Sequence, residues 1–567
     1  MASLRNTSYL FSSLSFSASF RPLRDSWRIC SWRLNPLAPV SSVSCMTKLT
    51  VPSTLGLQSQ AEYQCTKPIE ELQERARTKL GRASDPTGTM ELVDTLQRLG
   101  IAYHFEEEIN VLLDRFSNAK DEEDNLFLTA LRFRLLRQNG YQVSTNVFHK
   151  FIDKNGKFKE SLSQDIWGML SLYEASYLGA KGEDLLSHAM EFTTTQLKKP
   201  MPGTTPHLVR GVSRALELPR HLRMVRLDAR SYIEEYSMED TSSSDLVELG
   251  KLDFDMVQSL HQREINEIFR WWRELGLVEK LTFARDRPLE CYLWTVGIFP
   301  EPFLSKCRIE LTKTVAILLV LDDIFDTYGS LDELILFTNA IRRWDLAAME
   351  QLPEYMKLCY MALYNTTNEI GYGILKEHGW NIVSHLKRTW VDVCEAFLVE
   401  AKWFNRGYVP ILEEYLTNGV TTGGTYMALV HTFFLIGQGV TETSVGMMEP
   451  YPKLFTCSGR ILRLWDDLGT SREEQLRGDV ASSMECYMRD ENISCDNEAR
   501  KHVRQLIHNL WTELNGQLMA PTGLPLSIIK ASVNLSRTAQ VIYQHGDDNK
   551  ASSVEDHIQS LLFRPIL

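Results

Sequence analysis

The chain of 567 residues carries 61 basic and 73 acidic side chains, a net charge of −12, and its residues are 44% hydrophobic. This composition is ordinary for globular proteins with a sizeable core, and it excludes low-complexity and collagen-like chains. The acidic balance argues against a nucleic-acid-binding protein, and no apolar run approaches the roughly 20 residues that a membrane span needs. We therefore expect a protein of two or three domains that acts on a small molecule, with no nucleic-acid partner.

The first fifty residues differ in composition from the rest of the chain. They contain twelve Ser and five Arg but a single acid, Asp25. A Ser-rich, Arg-bearing and acid-poor segment is typical of an organelle transit peptide, and we expect a plastid rather than a mitochondrion. A merely disordered N-terminus is the alternative. Met46 is a second possible start, and a chain that begins there would stay in the cytosol.

From about residue 60 onward the hydrophobic pattern is helical. Apolar residues recur at helical spacing in 68–80 and 89–116, and no stretch shows sustained alternation of apolar and polar residues. Gly100 predicts a corner between two helices within the second of these segments. The polar, acidic run 237–248 is the best candidate for a break between domains. We predict an all-α protein with an N-terminal helical domain over 60–240 and a larger one over 250–567.

The first acidic cluster ends an apolar run, VAILLVLDDIFDTYG at 315–329. Asp322 and Asp326 are four residues apart, about one helical turn, so both project from one face. Two carboxylates there repel each other unless a cation lies between them, and oxygen ligands suit a hard ion such as Mg²⁺. A solvated helix end is the alternative, but the apolar run places the acids beside a core.

A second cluster follows 144 residues later, in RILRLWDDLGTSREEQLRGD at 460–479. Asp466, Thr470 and Glu474 are spaced by four residues and form one stripe of a helix, with Arg463 one turn earlier. A charged surface helix is the alternative interpretation. Two such clusters in one domain, each preceded by an apolar helix, favour a second set of oxygen ligands.

The third element is FARDRPLECYLW at 283–294, upstream of the first cluster. Arg285 and Arg287 stand before Pro288, and guanidinium groups pair with phosphate oxygens without losing their charge. Alone, two arginines are more often partners in surface salt bridges. Trp294 is more often a core residue than a site residue, but an indole face in an apolar pocket stabilises a cation.

These three motifs, in this order and spacing, resemble those of plant class I terpene synthases, and the resemblance covers nearly the whole chain beyond residue 50. It implies a catalytic C-terminal helical bundle and an N-terminal α-barrel-like domain. Chain-elongating prenyltransferases share the first motif but would show a second aspartate-rich motif, which this sequence lacks. The protonation motif D-x-D-D is also absent from the sequence, so the N-terminal domain is expected to be catalytically silent.

The resemblance also implies roles for individual residues, with three Mg²⁺ ions as cofactors and Mn²⁺ as a possible substitute. The expected metal ligands and their supporting acid are Asp322, Asp323, Asp326, Asp466, Thr470 and Glu474. The arginines expected to bind the departing diphosphate are Arg285, Arg287 and Arg463. The residues expected to line or close the pocket are Trp294, Tyr543 and Asp548. The glycines expected to break a helix beside the carbocation are Gly423 and Gly424.

The tandem-arginine motif R-R-x₈-W, common in cyclising monoterpene synthases, is missing from this sequence. The subgroup that lacks it mostly makes acyclic alcohols, and the match to linalool/nerolidol synthases looks closest. The resemblance therefore implies a monomeric carbon–oxygen lyase that ionises geranyl diphosphate and captures the cation with water to give linalool. Alternatives are a geraniol or acyclic olefin synthase, a cytosolic synthase making nerolidol from farnesyl diphosphate, and an inactive helical interaction protein that kept the fold.

Overall fold

The computed structural model describes residues 55–82, 85–118, 124–200, 203–239, 242–477, 482–520, 522–544 and 552–566. Side chains are described in these ranges except at 55–67, 471–477 and 552–553. These residues form helices and connecting loops, and their one β interaction is an isolated antiparallel bridge between Ile152 and Phe158. The all-α prediction is confirmed. No helix in the described ranges combines the length and apolarity that a membrane crossing requires.

Eight α-helices precede the predicted domain break: α1 (Leu55–Arg82), α2 (Pro86–Arg98), α3 (Glu106–Asn118), α4 (Leu126–Gln138), α5 (Ile166–Ser176), α6 (Asp184–Leu197), α7 (Pro206–Glu217) and α8 (Val225–Ser237). Helix α2 shows why these segments begin where they do. Pro86 occupies its first turn, and the carboxylate of Asp85 accepts a hydrogen bond from the backbone N–H of Gly88 at 2.8 Å. Gly100, with φ of +74°, makes the predicted corner between α2 and α3.

The larger set of helices follows: α9 (Ser244–Leu275), α10 (Leu277–Lys280), α11 (Pro288–Ile298), α12 (Ser305–Asp323), α13 (Leu331–Arg343), α14 (Glu354–His378), α15 (Val383–Arg406), α16 (Leu412–Thr422), α17 (Thr425–Ile436), α18 (Glu442–Gly446), α19 (Lys453–Arg477), α20 (Ser483–Asp490), α21 (Asp496–Met519), α22 (Leu526–Tyr543) and α23 (Ser552–Ile558). Short 3₁₀ segments lie at Ala102–Phe105, Thr145–Phe151, Glu160–Gln164, Arg220–Leu222, Pro302–Leu304 and Leu346–Gln351. Two π-helical turns lie at Ile324–Tyr328 and Gln559–Phe563.

Helix α12 is the central helix of this larger set. Every side chain from Leu311 to Asp323 is buried, and α9, α11, α14 and α17 pack around it. A helical segment that is apolar on all sides, as 315–321 is, has to lie inside a protein, because no face of it can be left to water. The sequence of α12 therefore carries the aspartates at its C-terminal end into the interior.

The end of the chain joins the two sets of helices. Arg230 on α8 donates hydrogen bonds to the backbone carbonyls of Arg564 at 2.5 Å and Pro565 at 3.0 Å. Gln258 on α9 donates to the carbonyl of Leu561 at 3.1 Å. The predicted break over 237–248 contains the connection from α8 to α9, but the division into domains stays a prediction. The predicted transit segment over 1–50 lies outside the described residues.

Candidate active site

The three acids of the first cluster lie where α12 ends. Asp322 and Asp323 occupy its last turn, whereas Asp326 lies in the π-helical turn that follows. The prediction of a regular α-helical turn was wrong at this point: the N–H of Gly329 bonds to the carbonyl of Ile324 at 2.8 Å, which widens the turn. All three carboxylates are nevertheless buried.

Arg285 neutralises part of this buried charge. Its side chain forms an ion pair with Asp322, and its Nε lies 2.8 Å from Oδ1 of Asp323. The backbone N–H of Arg285 also donates to Asp323 at 2.8 Å. Burial lowers the pKa of Arg285, but the charges of Asp323 and Asp322 outweigh that effect and raise it above its ordinary value. The structure thus joins the upstream arginine motif to the first acidic cluster.

The carboxylates of this cluster still repel one another. Burial raises the pKa of Asp322 to about 7, against the lowering effect of Arg285 and with a further increase from Asp323. Burial and then the charge of Asp322 raise the pKa of Asp326 well above its ordinary value. Additional positive charge beside these acids would lower the pKa values of both Asp322 and Asp326, because an opposite charge stabilises the ionised form.

The second cluster lies on α19. Arg463 and Asp466 are both buried, with Nη1 of Arg463 2.9 Å from Oδ2 of Asp466. The hydroxyl of buried Thr470 donates to the backbone carbonyl of Asp466 at 2.8 Å. Glu474 belongs to the same helix, but its side chain lies outside the described residues.

Folding brings the two acidic clusters together. Burial raises the pKa of Asp466 well above its ordinary value, Arg463 opposes the increase, and the charge of Asp322 adds to it. Asp322 and Asp466 are 144 residues apart in the chain, yet they are close enough to interact electrostatically. The first and second acidic clusters therefore lie near each other in the fold.

The remaining upstream arginine is held differently. Nη1 of Arg287 lies 2.9 Å from the carboxylate of Glu290, and the intervening Asp286 accepts a hydrogen bond from the indole N–H of Trp272 at 2.9 Å. Pro288 is the first residue of α11, so this helix begins directly after Arg287. Arg285 and Arg287 thus stand on the short loop between α10 and α11, which the hydrogen bond from Trp272 ties to α9.

A small apolar cavity lies among α11, α12, α17, α19 and α22. Its lining residues are Trp294, Thr295, Ile298, Thr314, Val315, Leu318, Gly423, Gly424, Thr425, Met427, Ala428, Leu462 and Leu535. Leu318 precedes Asp322 by one helical turn, and Leu462 precedes Asp466 by about one turn. The cavity therefore extends inward from the level of the two acidic clusters.

Aromatic residues connect the cavity to the second cluster. The indole ring of Trp294, which lines the cavity, lies 6.0 Å from the ring of Tyr543 between centroids. The hydroxyl of Tyr543 lowers the pKa of Asp466 through a hydrogen bond. Tyr543 therefore contacts an acid of the second cluster as well as Trp294. Asp548, the third residue predicted to line or close the pocket, lies outside the described residues.

The donor set fits a hard divalent cation. Oδ1 of Asp322 is buried and has no hydrogen-bond partner within the described ranges. The groups around it are carboxylate and hydroxyl oxygens, which are the ligands that Mg²⁺ prefers. No group of three or more His, Cys, Asp and Glu side chains among the described residues stands in metal-binding geometry. In the first cluster, Arg285 pairs with two of the acids.

Sequence reasoning missed Glu400 on α15. Its buried carboxylate accepts hydrogen bonds from the side chains of Asn418 and Thr422, each at 3.0 Å. Its charge also raises the pKa values of Asp326 and Asp322. A signal was present in the sequence, because Glu400 follows Phe397 by three residues and so falls on the apolar face of an amphipathic helix.

Asp467 has a structural role that its place in the motif did not reveal. It accepts hydrogen bonds from the hydroxyl of Tyr415 at 2.9 Å and from the backbone N–H of Ser483 at 2.8 Å. Asp467 therefore ties α19 to α16 and α20, while its neighbour Asp466 faces Arg463.

Gly469 allows α19 and α22 to approach each other at the second cluster. A Cβ atom at this position would lie 2.9 Å from the backbone carbonyl oxygen of Tyr543. We expect Gly469→Ala to lower the free energy of unfolding by about 1–3 kcal/mol, the usual effect of overpacking. Gly211→Ala is the matched control, because nothing lies within 4 Å of a Cβ there on helix α7. Thermal denaturation checks both, and equal melting temperatures would contradict the close contact.

Two family models match the chain. Residues 273–513 match the metal binding domain of the terpene synthase family, and residues 44–216 match the terpene synthase N-terminal domain. The chain therefore belongs to the terpene synthase family, and the resemblance found in its motifs is confirmed. The arginine motif, both acidic clusters and the start of the cavity lining fall within the first match.

Several curated proteins are similar over most of their length. The chain is 65% identical over 548 residues to probable terpene synthase 11 of Ricinus communis, covering 96% of this chain and 95% of that protein. It is 53% identical to a chloroplastic geraniol synthase of Ocimum basilicum, with 88% of each chain covered. It is 51% identical to a chloroplastic R-linalool synthase of the same plant, covering 89% of this chain and 88% of that protein.

Among solved structures, isoprene synthase from grey poplar (Populus x canescens) is similar in fold. That structure is a complex with three Mg²⁺ ions and dimethylallyl-S-thiolodiphosphate. Its TM-score is 0.84 at 38% sequence identity, covering 89% of this chain and 97% of that one. The two-domain α fold expected from the sequence is thus shared with a solved terpene synthase.

Proposed function

We propose that the protein ionises geranyl diphosphate with the help of divalent metal ions and captures the allylic cation with water to give linalool. The observation that carries this proposal is that Asp322 and Asp466, from distant motifs, interact electrostatically and belong to helices α12 and α19, which both line an apolar cavity. The charged side chains of the two clusters suit the diphosphate group of the substrate, and the apolar walls of the cavity suit its hydrocarbon chain. The two Ocimum relatives named for linalool and geraniol, both acyclic alcohols, support this choice of product.

In this proposal Arg285, Arg287 and Arg463 bind the diphosphate, because guanidinium groups stay charged and pair with phosphate oxygens in a fork geometry. The oxygen ligands hold three Mg²⁺ ions, as many as in the isoprene synthase complex; they are Asp322, Asp326, Asp466, Thr470 and Glu474, with Asp323 in support. Bound Mg²⁺ ions, or Mn²⁺ in their place, would stabilise the negative charge that develops on the leaving group.

The cavity walls act after ionisation. In this proposal Trp294, which lines the cavity, stabilises the carbocation, and the apolar lining limits the access of water, so that capture is controlled. We propose that Asp548 belongs to a lid over the mouth. The helix break at Gly423 and Gly424 lines the same cavity and would turn backbone carbonyl dipoles toward the cation. The helices before α9 take no part in the chemistry.

Geraniol is the second candidate product, supported by the geraniol synthase relative. Linalool forms when water attacks the tertiary carbon of the allylic cation, and geraniol forms when it attacks the primary carbon. Loss of a proton from the cation would give an acyclic olefin instead. Farnesyl diphosphate in the same cavity would give nerolidol.

The full-length protein should be incubated with geranyl and farnesyl diphosphate separately, with and without Mg²⁺, and the products separated by chiral gas chromatography. We expect one linalool enantiomer from geranyl diphosphate, and no product without metal. Cyclic products would contradict the acyclic assignment. No turnover of either substrate would leave the inactive helical protein as the better interpretation.

Tyr543→Phe tests the contact between the aromatic pair and the second cluster. Removing the hydroxyl takes away a hydrogen bond to Asp466, so we expect a fall in kcat/KM of about 10-fold and a higher Mg²⁺ requirement, as for groups that orient metal ligands. Tyr360→Phe is the control, since it removes a buried tyrosine's hydrogen bond, 3.0 Å to the carbonyl of Asp345, outside the site. Equal effects of the two changes would argue against a role for Tyr543 at the metal site.

We propose plastid targeting by residues 1–50. The Ocimum relatives are named chloroplastic, and the Ser- and Arg-rich composition agrees with a transit peptide. Residues 1–50 fused to a fluorescent protein should enter plastids. A full-length fusion found only in the cytosol would contradict the proposal and favour the Met46 form acting on farnesyl diphosphate.

A further inference from the structure

Thr425 is the first residue of α17, directly after the αL residue Gly424, whose φ is +69°. Its side chain is only 1% exposed, and it lines the cavity. Its hydroxyl oxygen has no hydrogen-bond partner in the part of the chain that the structure describes. A buried hydroxyl without a partner is unfavourable, so this one calls for an explanation.

The other threonines of the cavity use their hydroxyl groups within the protein. Thr295 donates to the backbone carbonyl of Tyr292 at 2.8 Å, and Thr314 donates to that of Glu310 at 3.0 Å. Both are then satisfied without any bound molecule. Thr425 differs from them, because its hydroxyl has no such acceptor among the described residues.

The surroundings of Thr425 suit a small polar molecule. A Cβ atom at Gly459 would lie 3.0 Å from the hydroxyl oxygen of Thr425, so glycine at 459 avoids a side chain pressed against this hydroxyl. The first N–H groups of a helix have no acceptor within that helix, and α17 begins at Thr425. Water is held in a protein by two to four polar partners. This end of the cavity offers the hydroxyl of Thr425 and the first N–H groups of α17.

We propose that the hydroxyl of Thr425 binds and orients the water molecule that captures the allylic cation. This inference rests on the proposed function. The C–O bond to the diphosphate breaks with its electron pair leaving on the diphosphate. The water oxygen then gives a lone pair to the cation, and the proton of the resulting oxonium passes to the released diphosphate. By accepting a hydrogen bond from the water, Thr425 directs the attacking lone pair away from itself and toward the cation.

The test compares the products of three variants from geranyl diphosphate. Thr425→Val keeps the shape and removes the hydroxyl, Thr425→Ser keeps the hydroxyl, and Thr432→Val is the matched control. Thr432 lies on the same helix, is fully buried and has a hydroxyl without a partner among the described residues, but it does not line the cavity. The readouts are the ratio of alcohol to olefin products and the total rate of diphosphate release.

For Thr425→Val we expect the alcohol fraction to fall by about fivefold or more, the scale of one lost hydrogen bond, while diphosphate release continues. Thr425→Ser and Thr432→Val should keep the alcohol fraction of the wild type. An unchanged alcohol fraction in Thr425→Val, or an equal fall in Thr432→Val, would overturn the inference. Thr425→Ala replaces the valine variant if that one does not fold. A wild-type protein that makes no alcohol would instead refute the proposed function itself.

Discussion

Replacing Asp322 by asparagine is expected to lower kcat/KM for geranyl diphosphate by at least about 100-fold, the scale of losing one preorganised electrostatic group. Asp322 is 2% exposed, and one of its oxygens has no partner among the residues described. Asparagine keeps the shape but removes the negative charge, so it is a poor ligand for a hard cation. The loss should be accompanied by weaker Mg²⁺ binding in calorimetry.

Asp332→Asn is the control for this prediction, because it makes the same change at an exposed position in the first turn of α13. Its kcat/KM should stay close to that of the wild type. Melting temperatures separate a lost ligand from a damaged fold, since Asp322 also pairs with Arg285. A folded Asp322→Asn variant with wild-type activity would exclude the first cluster from the metal site.

Glu264→Ala is expected to cause the largest loss of stability, about 3–5 kcal/mol, the usual result of removing one partner of a buried ion pair. Glu264 on α9 and Arg308 on α12 are 2% and 0% exposed in their side chains and form two contacts, at 2.7 and 2.8 Å. The hydroxyl of Tyr292 donates to the same carboxylate at 2.6 Å. Alanine would leave a buried guanidinium and a phenol without this acceptor.

Glu267→Ala on the same helix is the matched control, since Glu267 is exposed and its loss should change stability by no more than about 0.5 kcal/mol. Urea denaturation followed by circular dichroism measures both changes. A double variant, Glu264→Leu with Arg308→Met, should recover part of the loss, because the pair is then replaced by apolar side chains. Equal effects at positions 264 and 267 would mean that the pair is not buried in solution.

Much of the candidate site is predictable because its residues lie close together in the chain. The spacing of Asp466, Thr470 and Glu474 depends only on helix geometry, and all three belong to α19. The apolar run before Asp322 predicts a buried helix for the same kind of reason. The π-helical turn at Asp326 was not predictable, since the change in hydrogen bonding depends on how the end of α12 packs.

Other features depend on contacts between distant parts of the chain. Glu400 belongs to no motif, and it reaches the site only because α15 and α16 pack side by side. Thr425 is one of many threonines in the sequence, and its unpartnered hydroxyl and its place in the cavity appear only in the folded chain.

The sequence by itself determined the helical class, the family and the residue types of the chemistry, because periodicity and motif spacing are local properties of the chain. Only the tertiary structure decided that Arg285 pairs with Asp322 and Asp323, and that Asp322 and Asp466 lie close enough to interact electrostatically. The physical reason is burial. The charges and hydroxyls that the packing of the helices removes from water must find partners among whatever residues the fold brings beside them.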